Sequence, residues 1–281
     1  MFGLCSALRE VRKALAEESG CSPHELTHAG VHIVARPDER GPRPPSVRRL
    51  PPVHPACAIL AIGPSAVVSA TAGLLAELAP AFSSLERDEL FELHHLATVQ
   101  DVVERFGLSF VGPHLRLVCG ADTLRPRAVP DGFRLVLEPD PPIERVREVG
   151  QLGWPNAVCA RQIAGSLLTM ALAIGYRDGD IVGVAAATAD AARLWQIGID
   201  VVEDARGRGL GAALVEPLAR LVIANDRVPF YGVAPSNLPS LGTALAAGFR
   251  PAWTEAYTVA PPSAEPADTA APAYADDDIA R

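Results

Sequence analysis

The residues best suited to chemistry lie between Ile197 and Ala212. Ile197-Gly-Ile-Asp-Val201 has strand character, Val202-Glu-Asp-Ala205 is a short connector, and Arg206-Gly-Arg-Gly-Leu-Gly-Ala212 is a glycine-rich turn that opens a helix. In such a turn successive backbone N–H groups point the same way and the helix dipole adds partial positive charge. The turn can therefore cradle a diphosphate. Gly207, Gly209 and Gly211 let a phosphate approach where a side chain would collide, and Arg206 and Arg208 add full charges. Gly207-x-Gly209-x-x-Ala212 also meets the loose dinucleotide-binding pattern, with Asp226 about 20 residues further on. Its place counts against that use, because the pattern opens a domain of several further strand–helix units, for which little chain remains. Asp226 also follows a helix instead of ending a strand.

What comes after the turn is more specific. Leu210, Leu214, Leu218 and Leu221 would hold the helix onto a sheet, although Pro217 in its interior should kink it or cost about 3 kcal/mol. A short strand, Phe230-Tyr-Gly-Val233, then leads to Asn237-Leu-Pro-Ser240 and to a helix ending in Ala247-Gly-Phe249. This succession, at this spacing, resembles the GNAT superfamily of N-acetyltransferases. The resemblance covers about residues 133–259, and the layout is similar to members that carry a diverged N-terminal half. It implies an α/β GNAT fold: a mixed, mostly antiparallel twisted sheet flanked by helices, here with an additional α/β N-terminal domain.

The resemblance also implies a co-substrate and a reaction. Acetyl-coenzyme A would lay its pantetheine arm along Ile199, Asp200 and Val201. Its pyrophosphate would rest on Arg206, Gly207, Arg208, Gly209, Leu210, Gly211 and Ala212, and Asn237 would help to fix the arm. The expected reaction is transfer of an acetyl group to a primary amine of a small molecule or peptide. A strand N–H can polarise the thioester carbonyl in the manner of an oxyanion hole. Many members supply the acid as a tyrosine seven residues after the asparagine, which here is Ala244. Some place a glutamate five residues before it, which here is Gly232. Asp200 is the substitute base, and Tyr257 or Tyr231 the substitute acid; proximity alone can also do much of the work. The missing pair leaves a second function open, a non-catalytic acyl-coenzyme A binding or sensing module.

A competing motif, His24-Glu-Leu-Thr-His28, matches the zinc-protease pattern, with His32 at the same spacing. Ser22, Pro23 and Glu25 also read as cap, first residue and capping box of a helix that Gly30 ends after about two turns. Zinc proteases need the motif well inside a longer helix, so no metal site is expected. The adjacent His94 and His95 are not expected to face one site.

These residues need elements to position them. Strands are expected at 31–35, 57–62, 108–119, 133–137, 168–176, 181–188, 194–202, 230–233 and 253–259, with an Asp178-Gly179 hairpin turn. Helices are expected at 4–18, 66–78, 90–105, 209–224 and 240–247. Residues 36–55, rich in proline and arginine, read as an exposed loop, and 121–131 as a linker. The resulting division is an N-terminal α/β domain over 1–125, which element order allows to be a degenerate GNAT-like unit, a GNAT domain over 130–260, and a disordered tail over 261–281. The net charge of −8 in 281 residues argues against nucleic-acid or anionic-membrane partners. The apolar stretch 57–82 is interrupted by glycine, proline and serine and does not suit a membrane span. Five scattered cysteines and no secretory leader point to reduced thiols in the cytoplasm. Neither the acceptor nor the oligomeric state is encoded in these patterns.

Overall fold

The structure, a computed structural model, describes residues 3–36, 44–49 and 55–260. In chain order the elements are α1 (Leu4–Ser19), β1 (Gly30–Arg36), β2 (Cys57–Ile62), β3 (Ser65–Thr71), α2 (Ala72–Phe82), α3 (Leu93–Arg105) and β4 (Ser109–Val118). There follow β5 (Arg134–Pro139), α4 (Ile143–Gly150), α5 (Ala160–Ile163), β6 (Thr169–Arg177), β7 (Asp180–Thr188), β8 (Leu194–Val201), α6 (Leu210–Ala224), β9 (Val228–Val233), α7 (Leu238–Ala247) and β10 (Arg250–Val259).

All ten strands form one sheet in the order β1-β3-β2-β10-β4-β9-β8-β7-β6-β5. Among the described residues, only β1–β3 and β8–β9 run parallel, and the other seven pairs are antiparallel. The expected mixed, mostly antiparallel sheet flanked by helices is therefore present. Its two ends are interlocked, because β4 lies between β9 and β10, and β10 lies between β2 and β4. The stretch 121–131 separates two sequence patterns without separating two sheets.

Side chains alternate across the strands and give each face its own cores. On one face α6 covers Leu117, Ala185, Ile197, Tyr231 and Val233, and Leu78 of α2 and Val99 of α3 cover Ile59 and Val68. On the other, Val11 and Leu15 of α1 pack on Leu60, Leu194, Phe230 and Trp253, while Val146 of α4 and Trp154 meet Leu172, Val184 and Ala186.

Some elements depart from their sequence patterns. The helix expected over 66–78 is a strand, β3, followed by a helix that starts at Ala72. β3 is buried along nearly its whole length, and a continuous apolar run has the same periodicity whether it is a buried strand or a buried helix. The Gly63-Pro64 turn pairs it with β2. Residues 44–49, expected to be an exposed loop, form a docked strap: Arg48 is buried among ion pairs, and the Arg49 N–H donates to the Asp190 carboxylate at 2.7 Å. The remainder of that loop and the tail 261–281 lie outside the described residues. The Asp178-Gly179 turn has positive φ at both positions, as expected. Pro217 is accommodated within α6, which continues to Ala224.

Candidate functional site

The site grows from the one place in the middle of the sheet where two strands run parallel and then part. β8 and β9 pair from Leu194↔Val228 to Ile197↔Tyr231. Beyond that point β8 continues through Gly198, Ile199, Asp200 and Val201 with only β7 beside it, while β9 ends at Val233. A wedge opens between the two strands, bordered by backbone on the β8 side.

The glycine turn stands where β8 leads out of this wedge. Gly207 has φ +74° and Gly209, the N-cap of α6, has φ +85°. These are left-handed conformations that non-glycine residues adopt at a cost. No atom lies within 4 Å of where a Cβ of Gly207 would be, and Gly209 meets only Pro130 at 3.9 Å. Space therefore remains over the turn for a bulky group. Arg206, Gly207, Arg208 and Gly209 are exposed, whereas Leu210 and Ala212 are buried and anchor α6. The Arg206 Nε donates to the Val201 carbonyl at 2.9 Å and ties the turn back to the strand. Gly211 lets α6 approach Thr243 of α7 closely. Asn237 is the N-cap of α7, its Oδ1 accepting from the Ser240 N–H at 3.1 Å. Exposed glycines, two arginines and the head of α6 are what a diphosphate requires, and the parted strand is what an amide-bearing arm requires.

The residues expected to move protons are placed differently from one another. Asp200 accepts from the N–H groups of Asn156 and Ala157, both at 2.8 Å, and from Asn156 Nδ2 at 2.6 Å. Three donors already engage its carboxylate, so its observed work is to pin the 154–158 turn onto β8. Tyr257 sits on β10, two strands from β9, with its ring 5.5 Å from that of His114. Tyr231 lies on the α7 side of β9, fully buried, its hydroxyl 2.8 Å from Ser240 Oγ. Ala244, where many family members carry tyrosine, is buried on α7. Neither of the two core thiols is suited to replace these groups: burial pushes Cys57 up to about 12, and Cys119 also lies in the core.

The opposite face of the wedge joins two glycines of the sequence motifs, Gly198 and Gly232, to residues that no motif singled out, Asn156, Arg116 and Glu255. Gly198 on β8 lies under the carbonyl oxygen of Asn156, and a Cβ there would overlap it. Gly232 on β9, directly paired with Arg116 of β4, lies under the Arg116 guanidinium in the same way. The Arg116 Nε donates to Glu255 at 2.8 Å. Arg48 makes two further bonds to Glu255, at 3.0 and 2.8 Å, and Trp253 Nε1 donates to it at 2.7 Å. Burial pushes the Glu255 carboxyl up, but the guanidinium groups of Arg48 and Arg116 outweigh this and hold it well below the usual carboxylate range. An isolated glycine inside a strand pattern, and single charges inside apolar strands, are the signals that could have marked these positions.

The zinc-type motif forms no protease-like helix. Glu25–Thr27 is a single 3-10 turn, with Ser22 and Glu25 capping each other. The His24 and His28 rings stack at 3.7 Å, and His28 Nδ1 bonds the His24 carbonyl instead. His94 and His95 do come together, their rings 3.8 Å apart, in the first turn of α3 beside Glu92. Glu92 and His94 are exposed, and His95 is half-buried.

The sheet has a parted parallel pair with a glycine turn at its mouth, and residues 145–249 match the model of the acetyltransferase (GNAT) family. Residues 145–249 of this chain thus match the GNAT acetyltransferases, and the C-terminal part has the GNAT fold. No curated protein sequence matches the chain. Among solved structures it is similar to a putative GNAT acetyltransferase of Novosphingobium aromaticivorans, at 19% identity over 54% of this chain and 66% of that one, TM-score 0.40. It is also similar to a tandem GNAT protein of the clavulanic acid biosynthesis pathway, at 21% identity over 58% of each chain, TM-score 0.41. A Drosophila protein is similar over 92% of this chain and 90% of its own, at 14% identity and TM-score 0.46. The chain spans less than two thirds of the length of the first two.

Proposed function

We propose that this protein transfers an acetyl group from acetyl-coenzyme A to a primary amine on a small molecule or peptide. The observation that carries the reading is the unpaired end of β8 leading into a turn of open, left-handed glycines at the head of α6. In this reading Ile199, Asp200 and Val201 offer backbone to the pantetheine arm, and Arg206 to Ala212 hold the pyrophosphate. Asn237 sets the α7 terminus beside them. The N–H groups of the β8 end polarise the thioester carbonyl, and the thiolate leaves on the α7 side, where Tyr231 and Ser240 supply its proton. Asp200 acts through the turn that it pins, and Tyr257 belongs to the wall of the acceptor cleft. Residues 1–125 contribute that wall through Arg48, His114 and Arg116, and residues 130–260 contribute the coenzyme side. We place the protein in the cytoplasm, in keeping with five free cysteines and with the lack, among the described residues, of any helix long and apolar enough to cross a membrane.

Calorimetry with coenzyme A tests the coenzyme half of this reading. Gly209→Glu should weaken binding at least about 10-fold, since it sets a like charge against phosphate and strains a left-handed position. Gly209→Ala separates the strain from the charge. Equal affinity of wild type and Gly209→Glu would sink the reading. A second reading, a coenzyme A sensor without turnover, draws on Ala244 and Gly232, neither of which can carry the family's acid or glutamate. Tight binding of acetyl-coenzyme A, with no thiol release for any of a panel of amino acids, polyamines and peptides, would favour it.

A further inference from the structure

We propose that Arg116 is a catalytic residue, an electrophile that stabilises the charge building on the thioester oxygen from the face opposite the coenzyme loop. This rests on the acetyl-transfer reading above and adds to it a group supplied by the N-terminal half of the chain. Three observations carry it. The first is position. Gly232 is the first residue of β9 past the last β8–β9 pair, so it lies at the vertex of the wedge, and Arg116 is its direct partner on β4. The guanidinium occupies the space that a Cβ at 232 would fill.

The second is preorganisation. Arg116 is 7% exposed and is held through Nε by Glu255, which Arg48 and Trp253 fix in turn. A donor fixed in place and withdrawn from water stabilises developing charge without reorganising at the moment of reaction. The third is the opposite lip. Across the vertex, Gly198 is covered by the carbonyl oxygen of Asn156, a residue whose N–H and Nδ2 donate to Asp200. This face of the vertex is thus bordered by a cation on the β9 side and a carbonyl acceptor on the β8 side. A thioester oxygen suits the first, and the N–H of an incoming amine suits the second.

The step balances simply. The amine nitrogen bonds to the carbonyl carbon while the carbonyl electron pair moves onto oxygen, facing Arg116. That pair returns as the carbon–sulfur bond breaks, and the proton lost from nitrogen ends on sulfur. The products are an amide and a thiol. Nothing is oxidised or reduced.

The test uses the full chain and acetyl-coenzyme A whose thioester carbonyl is isotopically labelled, read by difference infrared spectroscopy alongside calorimetry. Bound to wild type, the carbonyl stretch should move to lower frequency than in water. The shift should shrink in Arg116→Gln and in Gly232→Ala, which keeps every charge but pushes the guanidinium away, while affinity for the coenzyme is retained. With an amine that turns over, kcat should fall about 10²–10³-fold, the usual cost of one such donor. An unshifted carbonyl on wild type, or a shift that survives in both variants, overturns the proposal and leaves the coenzyme reading standing. Loss of coenzyme affinity in both variants also overturns it, because Arg116 would then be holding the cleft together. Failure of wild type to bind acetyl-coenzyme A removes the underlying reading and this inference with it.

Discussion

Asp200 and Tyr231 show how a reactive side chain is defined by what surrounds it. Asp200 stands on the expected cofactor strand, yet its oxygens already accept from Asn156 and Ala157. Replacing it with alanine leaves the turn's N–H groups without their charged partner, at a cost of about 1.5–3 kcal/mol. Urea denaturation of Asp200→Ala should show that loss. If Asp200 is an anchor, the acidic limb of a pH–rate profile should persist in Asp200→Asn; disappearance of that limb would restore Asp200 to the chemistry as a base. Tyr231→Phe keeps the ring against Phe249 and removes the hydroxyl facing Ser240. On the acid role proposed above it should lower kcat about 10²-fold or more with unchanged coenzyme affinity; an unaltered kcat would return Tyr231 to the core. The glycine turn could be read from the sequence because its chemistry is local, a matter of backbone freedom within seven residues. Glu255 and Arg116 could not, since they stand 139 residues apart and meet only because β10 and β4 are neighbours.

Elements rather than single residues explain how charge is carried inside the face of the sheet that α1 covers. Glu18 of α1, Arg48 of the strap, Glu255 of β10 and Arg116 of β4 form an alternating chain of ion pairs. Removing one member would leave a buried charge unmatched, which costs about 3–5 kcal/mol. His114, also on β4, sits among the same groups: Arg116 two residues along its own strand, and Glu255 and Tyr257 on β10. Burial, and then the Arg116 charge, push the imidazole down to about 4, partly offset by Glu255. The unfolded chain takes up this proton near pH 6.5, whereas the folded chain resists it until about pH 4. Stability from His114 is therefore complete above pH 6.5 and falls away as the pH drops towards 4. His114→Gln should flatten the part of the stability curve between those limits, by up to about 3 kcal/mol. Denaturation midpoints at pH 4.5 and pH 7 give the comparison, and an unchanged difference between variant and wild type would count against the assignment. The sequence could not announce this grouping. The arginine-rich stretch looked solvated because its composition is that of a loop, and only the depth of Glu18 and Glu255 makes Arg48 a buried residue.

For the whole molecule, interleaving of strands matters more than any boundary in composition. The change of pattern at 121–131 is real in the sequence, and the chain there still makes specific contacts: the Arg125 N–H donates to the Ala247 carbonyl, and the Leu4 N–H donates to Asp122. The sheet ignores the change, because β4 fills the gap between β9 and β10 and Trp253 of β10 packs into the core beneath α1. Residues 126–281 alone would leave β9 and β10 as separate edges with unpaired N–H and C=O groups and an uncovered apolar face, the features that drive aggregation. Such a fragment should be insoluble or lack the near-ultraviolet dichroism of a packed core, and it should not bind coenzyme A. Co-expression with residues 1–125 should restore both properties, since each half supplies strands that the other lacks. A fragment that folds and binds coenzyme A unaided would show that the halves are independent and that β4 is only an added strand. The expected result would instead make the acceptor face a joint product of both halves, which is the arrangement that brings an arginine from β4 to the vertex between β8 and β9.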